Sequence, residues 1–192
     1  MQTASMEYHD LIKEASEALY KRTYYTPYPE HPKAYGEGGN EEGLKAFQTS
    51  LSKRFEGLKT SGDVQWVGGE VSPFMQTGLG IEYPQKSNAA LIADSHTASG
   101  KWQSATVQER AAVLIQGLDA VKDRFFELAY ATMHTTGQSF MMSFQASGPH
   151  SNDRALETIV QGVEELSKYP SEVDFVKPMG KFDLTIKKNF KA

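Results

Sequence analysis

The chain shows its clearest order in apolar residues that recur at helical spacing. Between residues 11 and 22 these positions lie three or four apart, which predicts an opening helix that ends before a segment rich in tyrosine and proline. We expect ordered loop from Thr23 to Asn40, and we expect Asn40 to cap a second helix that reaches Leu58. The apolar positions of the two predicted helices are Leu11, Ile12, Ala15, Ala18 and Leu19, then Leu44, Phe47, Leu51, Phe55 and Leu58.

A capping box marks the next strongly periodic segment. Thr106 is followed at the third residue by Glu109, so a hydroxyl and a carboxylate can each bond a backbone N–H at a helix start. Apolar residues continue at steps of three and four to Leu128, and Gly137 ends the segment. The pattern predicts one amphipathic helix or a kinked pair. A coiled-coil seam is the alternative, but the short run and the internal Gly117 favour packing within a domain.

The segment before the capping box has a different character. Glycines mixed with apolar residues over positions 61–84 indicate short strands or structured loop. Residues 88–99 then predict a helix that turns Leu91 and Ile92 inward, and Gly100 is the expected stop.

The last third of the chain predicts one more helix and a strand. Ser151 or Asn152 is expected to cap the helix, and Pro170 is expected to end it. A half-buried strand is predicted near the carboxyl end because apolar and polar residues alternate there. The apolar positions are Leu156, Ile159, Val160, Val163 and Leu166 in the helix, then Phe182, Leu184 and Ile186 in the strand.

Composition limits the class of protein. With 192 residues, 39% of them hydrophobic and 11% aromatic, the chain can bury a real core. The net charge is −4 and the basic residues are scattered, so the electrostatic footprint of a nucleic-acid-binding protein is missing. No apolar run has the length of a signal peptide or of a bilayer span. We expect a soluble, cytoplasmic protein that binds neither nucleic acid nor membrane.

The residue types that carry chemistry are sparse. The sequence has no cysteine, which excludes disulfides, thiolate zinc sites and any cysteine nucleophile within this chain. The five histidines never share a spacing that would place two ligands on one helix face, so no metal site is expected. Gly78 and Gly80 lack the third glycine and the lysine of a phosphate-binding loop, and we read them as a turn.

Two weaker patterns point to other sites. Ser147 and His150 fall in one turn rather than across a cleft, and no nucleophile elbow is present, so a hydrolase is not indicated. A set of flexible and aromatic side chains is typical of core packing, although it would also suit a pliable apolar pocket. That set is Met133, Phe140, Met141, Met142 and Phe144.

The order of elements resembles the amino-terminal half-domain of aldehyde dehydrogenases. It runs through a helix, Trp102, a capped helix with Arg110, and a second helix with Glu127 and Ala129, which a Thr-Gly-Gln run at residues 136–138 follows. In that superfamily a Gly-Lys pair is common where this chain has Gly137 and Gln138, so Gln138 departs from the superfamily's pattern.

A closer resemblance is to the phenylacetic acid degradation protein PaaN family. Four stretches carry it, and together they span nearly the whole chain. They read Tyr-Pro-Glu at 28–30, His-Pro-Lys-Ala-Tyr-Gly-Glu at 31–37, Met-His-Thr-Thr-Gly-Gln at 133–138 and Ser-Phe-Gln-Ala-Ser-Gly-Pro-His at 143–150.

The resemblance implies a fold and a function. The fold is α/β and helix-rich, the N-terminal part of an aldehyde-dehydrogenase-like fold with amphipathic helices and a few short strands. Residues 1–60 would form a helical extension, and residues 61–192 an incomplete domain that ends in a strand. The parent would use NAD or NADP to oxidise a ring-opened, CoA-linked semialdehyde of phenylacetate breakdown. Its cysteine nucleophile and glutamate base would lie beyond Ala192, so this chain alone would hold no cofactor.

The resemblance also implies two positional roles. Asp153, Arg154 and Glu157 would open a helix beside the substrate entrance, and the strand at residues 182–186 would take part in subunit association. We expect no catalytic, cofactor-binding or metal-binding residue in this chain. Its partners would be the remainder of the parent protein or further copies in a homo-oligomer.

A rival hypothesis from another class is a self-contained, non-catalytic helical binding or assembly module. It is supported by the set of amphipathic helices and by the lack of an arrangement of catalytic residues in the sequence. A small enzyme built on the methionine and phenylalanine set is a third hypothesis, and it requires turnover by this chain alone.

Overall fold

The computed structural model describes residues 8–60 and 62–190. Residues 1–7 of the predicted extension and residues 61, 191 and 192 of the predicted incomplete domain lie outside these ranges. Within them, seven α-helices, one 3-10 helix and two antiparallel strand pairs make up the regular structure. They are α1 His9–Lys21, the 3-10 helix Pro32–Tyr35, α2 Gly39–Ser50, β1 Gln65–Val67, β2 Tyr83–Gln85, α3 Asn88–Ser104, α4 Val107–Lys122, α5 Phe125–Thr136, α6 Phe140–Ser147, α7 Pro149–Leu166, β3 Glu172–Met179 and β4 Phe182–Asn189.

The main core lies where α4, α5, α6 and α7 meet. Phe125 of α5 and Phe144 of α6 are fully buried, with ring centroids 6.1 Å apart in an edge-to-face arrangement. Ile115 of α4 and Leu156 and Val160 of α7 belong to the same buried cluster. Because each large apolar side chain stabilises a fold by about 1.5–3 kcal/mol when it leaves water, this cluster holds the four helices together.

Helix α1 and the loop after it, residues 9–38, form an arm that covers this core. Ala15 of α1 and Tyr28 of the loop are buried. Tyr28 meets Phe125 edge-on at 6.4 Å between ring centroids, and Tyr35 meets it at 5.3 Å. The arm is therefore packed into the folded body.

A second, smaller cluster joins α2 to the segment before β2. Phe47 of α2 is buried with Leu79 and Ile81. The ring of His134 stacks on Phe47 at 4.9 Å between centroids, which ties this cluster to α5. The nearby strands β1 and β2 pair in antiparallel fashion, and they are the short strands that were one of the two expectations for the glycine-rich segment.

The strongest periodic patterns are confirmed. The opening helix lies where it was predicted, and the Thr106–Glu109 capping box forms with both of its bonds. The long periodic segment is a pair of helices that breaks after Lys122, and Gly137 ends the second helix in the left-handed conformation at φ 78°.

The prediction for α2 is wrong at both ends. The helix begins at Gly39, and the Asn40 side chain accepts a hydrogen bond from the Tyr130 hydroxyl at 2.8 Å instead of capping. It ends at Ser50 because Leu51 is extended and Ser52 turns to φ 56°. The last apolar position, Leu58, is exposed.

Helix α3 also differs from its prediction. It continues through Gly100 to Ser104, and Ser87 caps its start. Leu91 and Ile92, which we expected to turn inward, are 52% and 58% exposed. No residue of this helix is buried.

Two helices near the middle of the chain start where the sequence did not indicate. Helix α7 begins at Pro149, whose fixed φ suits a first helical position, rather than at Ser151 or Asn152. The Asn152 side chain donates to the Leu118 carbonyl at 2.8 Å. Helix α6 was not predicted; Ser139 caps it through the Met142 N–H.

The predicted strand is the second half of a longer β3–β4 hairpin. All sixteen positions of the two strands are exposed, so the expectation of a half-buried strand is wrong for the described residues. Cross-strand pairs such as Phe175–Ile186 and Met179–Phe182 put the apolar side chains on one face. The hairpin is amphipathic, and its apolar face is uncovered.

The fold-class prediction is confirmed, because the structure is helix-rich with a few short strands. None of the helices in the described part of the chain is long and apolar enough to span a bilayer.

Candidate functional site beside helix α7

A cleft of about 310 Å³ lies between α1 and the first turns of α7. It contains Asp153, Arg154 and Glu157, the three residues that the family resemblance places beside a substrate entrance. They lie on successive turns of α7. The cleft is lined by Ala15, Ala18, Leu19, Arg22, Thr23, Tyr25, Pro27, Asp153, Arg154, Leu156, Glu157 and Gln161.

Asp153 is the buried acid of this cleft. Asp153 is only 9% exposed, and its Oδ2 lies 2.5 Å from the Thr26 hydroxyl of the arm. Its Oδ1 is buried and has no hydrogen-bond partner. Burial raises the pKa of Asp153, while the Thr26 bond and the nearby Arg154 lower it in part. The neutral acid is thus favoured more than at an exposed aspartate.

Arg154 and Glu157 form the outer wall of the cleft. Their side chains make an ion pair of 2.8 Å across three residues of α7, and Arg154 is largely exposed. Such a surface pair contributes little to stability. Both groups are therefore available to charged parts of a ligand at little loss to the fold.

Three tyrosines of the arm surround Asp153. Burial raises the pKa of Tyr25 and of Tyr35 to about 12, and that of Tyr28 higher still, with the Asp153 carboxylate adding to each effect. Tyr25 donates to Glu14 at 3.2 Å, and Tyr35 donates to the Pro29 carbonyl at 2.8 Å. The tyrosines stay neutral near pH 7, and Tyr25 and Tyr35 serve as hydrogen-bond donors.

One further polar contact joins α7 to the arm. His150, one turn before Asp153 on α7, places Nε2 2.7 Å from Glu30 Oε1 of the arm. Ser147 donates instead to the Ser143 carbonyl at 2.5 Å, so the structure does not bring Ser147 and His150 together as a catalytic pair.

The other sequence candidates have structural roles. His134 Nδ1 lies 2.8 Å from the hydroxyl of Ser72, which is fully buried, and burial lowers the pKa of His134. Phe144 lies in the core while Met141 and Met142 are exposed, so these three do not line one pocket. Within the described residues, no group of three or more acidic or histidine side chains is placed to hold a metal ion.

Gly78 and Gly80, the two glycines of the Gly-x-Gly sequence, do not form a phosphate-binding loop. Gly80 turns at φ 65° against Ser52, where an added Cβ would lie 3.0 Å from the Ser52 Cα. Gly78 forms an isolated bridge with Val71. These glycines serve close backbone packing and do not open a helix N-terminus, which is the geometry that holds a pyrophosphate.

Comparison with known proteins gives one clear likeness. The chain is similar to the crystal structure of an NAD-dependent aldehyde dehydrogenase from Burkholderia multivorans, with 38% sequence identity and a TM-score of 0.91. The match covers 98% of this chain and 34% of that protein, so the chain spans about a third of its length. The comparison supports the aldehyde dehydrogenase superfamily. No family model matches the chain, and no curated protein does.

The described residues form a hydrophobic core of their own. The contacts that the sequence did not reveal are those of the arm: Thr26 meets Asp153 across 127 residues, and Glu30 meets His150 across 120. No local pattern signals a contact of that span. The weak signal was composition, since tyrosines and prolines concentrate in the arm.

Proposed function

We propose that this chain is the amino-terminal part of an NAD-dependent aldehyde dehydrogenase and does not catalyse the reaction by itself. The observation that carries the proposal is the near-complete match, at 38% identity, to a third of one such enzyme. The absence of cysteine from the sequence agrees with it, because the superfamily uses a cysteine nucleophile. The nucleophile, the base and the NAD site would come from chain beyond residue 192.

The substrate class rests on a narrower argument. The four stretches that resemble the PaaN family support a parent enzyme of phenylacetate degradation, which oxidises a ring-opened, CoA-linked semialdehyde. Turnover measured with a panel of substrates distinguishes the phenylacetate role from the broader aldehyde dehydrogenase assignment. The complete protein would turn over CoA-linked semialdehydes in preference to short aliphatic aldehydes, and the reverse preference would leave the superfamily intact while removing the phenylacetate role.

Sequencing the gene past codon 192 tests the fragment proposal. We expect an open reading frame that continues into a glycine-rich turn after a strand and then to a cysteine. A stop codon with neither feature downstream would contradict it. A clean monomer that unfolds cooperatively and binds a ligand saturably would then favour the self-contained binding module.

For the α7 cleft, we propose the substrate entrance of the complete enzyme. Its support is the resemblance together with the exposed Arg154–Glu157 pair on the cleft wall. Arg154→Ala in the complete protein is expected to raise KM for a CoA-linked substrate about threefold or more, with kcat little changed, because the residue binds without touching the reacting atoms. Lys168→Gln is the matched control, since Lys168 has a similar pair with Glu165 at the far end of α7. Equal kinetics of the two variants would contradict the proposal.

The β3–β4 hairpin is proposed as a subunit contact with a second copy. Its support is the uncovered apolar face, which carries Phe175, Phe182, Leu184 and Ile186 side by side. Apolar patches of this kind mark interaction surfaces.

A further inference from the structure

Helix α3 lies largely in solvent. All but two of its 17 residues are exposed, and Ala90 and Ser99 are only partly covered. Among the described residues, α3 makes no extensive contact with any other helix or strand. An ion pair joins its Asp94 to Lys86, which stands two residues before the helix. The helix is thus attached to the folded body mainly at its ends.

The composition of α3 does not make it a stable helix by itself. Its one acidic residue, Asp94, and its one lysine, Lys101, lie seven residues apart, so they do not form a supporting pair along the helix. Even alanine-rich helices of about 12–15 residues are marginal in water, and most helices in proteins are held by the packing of one face. Many residues of α3 have low helix propensity, namely Asn88, Ser95, His96, Thr97, Ser99, Gly100, Trp102 and Ser104. The helix therefore needs a surface to pack on, and the described residues supply little of one.

One face of α3 borders an apolar groove. The groove has a volume of about 490 Å³ and lies between α3 and the β1–β2 pair. Leu58, Val67, Pro84 and Leu91 line it, and Leu58, Val67 and Leu91 are exposed. Trp102 is also exposed, and it lies on the same face of α3 as Leu91 because eleven residues make almost three full helical turns. We call Leu58, Val67, Leu91 and Trp102 the α3 strip.

The comparison with the aldehyde dehydrogenase indicates what covers the α3 strip. The match includes 98% of this chain, and the unmatched 2% is shorter than α3, so most of this helix has a counterpart in that enzyme. The match takes up only 34% of that protein, so about two thirds of its chain lies outside the matched part. A complete enzyme of this kind therefore has enough additional chain to cover an exposed helix.

We propose that the α3 strip is the docking surface for the remaining chain of the complete enzyme, and that α3 becomes a well-protected helix only when that chain is present. The inference rests on the proposed function, since it requires a parent protein that continues past residue 192. The docking segment presents aliphatic or aromatic side chains, because apolar residues line the groove and its one acid, Asp94, is already paired with Lys86.

Hydrogen exchange, measured for the 192-residue chain and for the complete protein under the same conditions, tests the docking. In the chain alone, the amides of residues 91–104 should exchange within about tenfold of their intrinsic rates, because little packing opposes local opening. In the complete protein the same amides should be protected roughly a hundredfold more. Amides in the middle of α5, which lies in the core, should be protected in both proteins. Equal protection of α3 in the two proteins would overturn the proposal.

Two matched double variants of the complete protein identify the docking face. Leu91→Gln with Trp102→Gln removes apolar side chains from the α3 strip, so α3 should lose about tenfold or more of its protection. Ala93→Gln with Thr97→Gln is the control, because both residues are exposed on the opposite side of the helix. The control should keep the wild-type protection. The same effect from both pairs would show that the strip is not the docking surface.

NADH formation by the same complete protein separates this proposal from the proposed function. Aldehyde oxidation by a complete protein whose α3 stays unprotected would overturn the docking and leave the function intact. Protection of α3 without NAD-dependent oxidation of any aldehyde would support the docking and remove the function. A gene that stops after codon 192 would overturn both.

Discussion

Two buried polar side chains of the described residues bond a residue far away in sequence. Asp153 meets Thr26, and His134 meets Ser72 across 62 residues. Since a buried polar group without a partner destabilises a fold by about 1–3 kcal/mol, these contacts fix how the arm and the loop before β2 sit on the helices. Such contacts could not be predicted from the sequence, because nothing in it distinguishes Asp153 and Thr26 from ordinary polar residues.

At Asp153 the sign of a substitution follows from the raised pKa. Asp153→Asn removes a buried charge that forms as the pH rises, so the variant should be more stable than the wild type at pH 8 by about 1–2 kcal/mol. At about pH 3, below the ordinary aspartate pKa, the two proteins should converge, because the wild-type acid is then neutral. Urea unfolding at both pH values measures the difference. A variant that is less stable at pH 8 would show that the carboxylate is better satisfied than its contacts indicate.

At the scale of elements, the sequence predicted helices better than their surroundings. Local signals such as the Thr106–Glu109 box and Gly137 fixed the ends of α4 and α5, because capping is decided within one turn. Helix α3 was misread because periodicity alone cannot show what a face meets, and Leu91 and Ile92 turn to solvent here. The α7 cleft could not be predicted from the sequence. Its opposite wall is formed by α1, which lies more than 100 residues away along the chain.

Helix packing at Gly43 gives a sharp test of the element contacts. A Cβ at this position of α2 would overlap the Phe126 side chain and lie 2.7 Å from the Glu127 N on α5. Gly43→Ala is expected to destabilise the chain by about 1–3 kcal/mol through overpacking. Chemical denaturation gives the change in the free energy of unfolding.

Gly117→Ala is the matched control for Gly43. Gly117 lies within α4, and an added Cβ there meets nothing within 4 Å. Alanine is the better helix former, so this variant should be stabilised by about 0.5–1 kcal/mol. If both substitutions changed stability in the same direction, the close approach of α2 and α5 would be wrong.

On the scale of the whole molecule, the β3–β4 hairpin carries an uncovered apolar surface. The β3–β4 hairpin has no large contact with any other element, and its apolar face is open in the described chain. The core of α4 to α7 is buried within the chain, whereas the apolar residues of the hairpin are exposed. This division agrees with a chain that forms part of a larger assembly.

Self-association measured by sedimentation velocity tests the hairpin. Replacing Phe182, Leu184 and Ile186 together by threonine keeps the strand propensity and removes the apolar face, so association should weaken at least tenfold. The control changes the opposite face, with Asp183→Asn, Thr185→Ser and Lys187→Gln, and should associate like the wild type. A wild-type chain that stays monomeric at all concentrations would contradict a subunit contact at this hairpin.

We propose that this chain is part of an aldehyde dehydrogenase whose catalytic residues lie outside these 192 residues. NADH formation at 340 nm, recorded with a panel of aldehydes for this chain and for the complete protein side by side, tests it most directly. We predict no turnover by the chain alone and NAD-dependent oxidation by the complete protein. Aldehyde oxidation by the 192-residue chain, or its absence from the complete protein with every aldehyde of the panel, would contradict the claim.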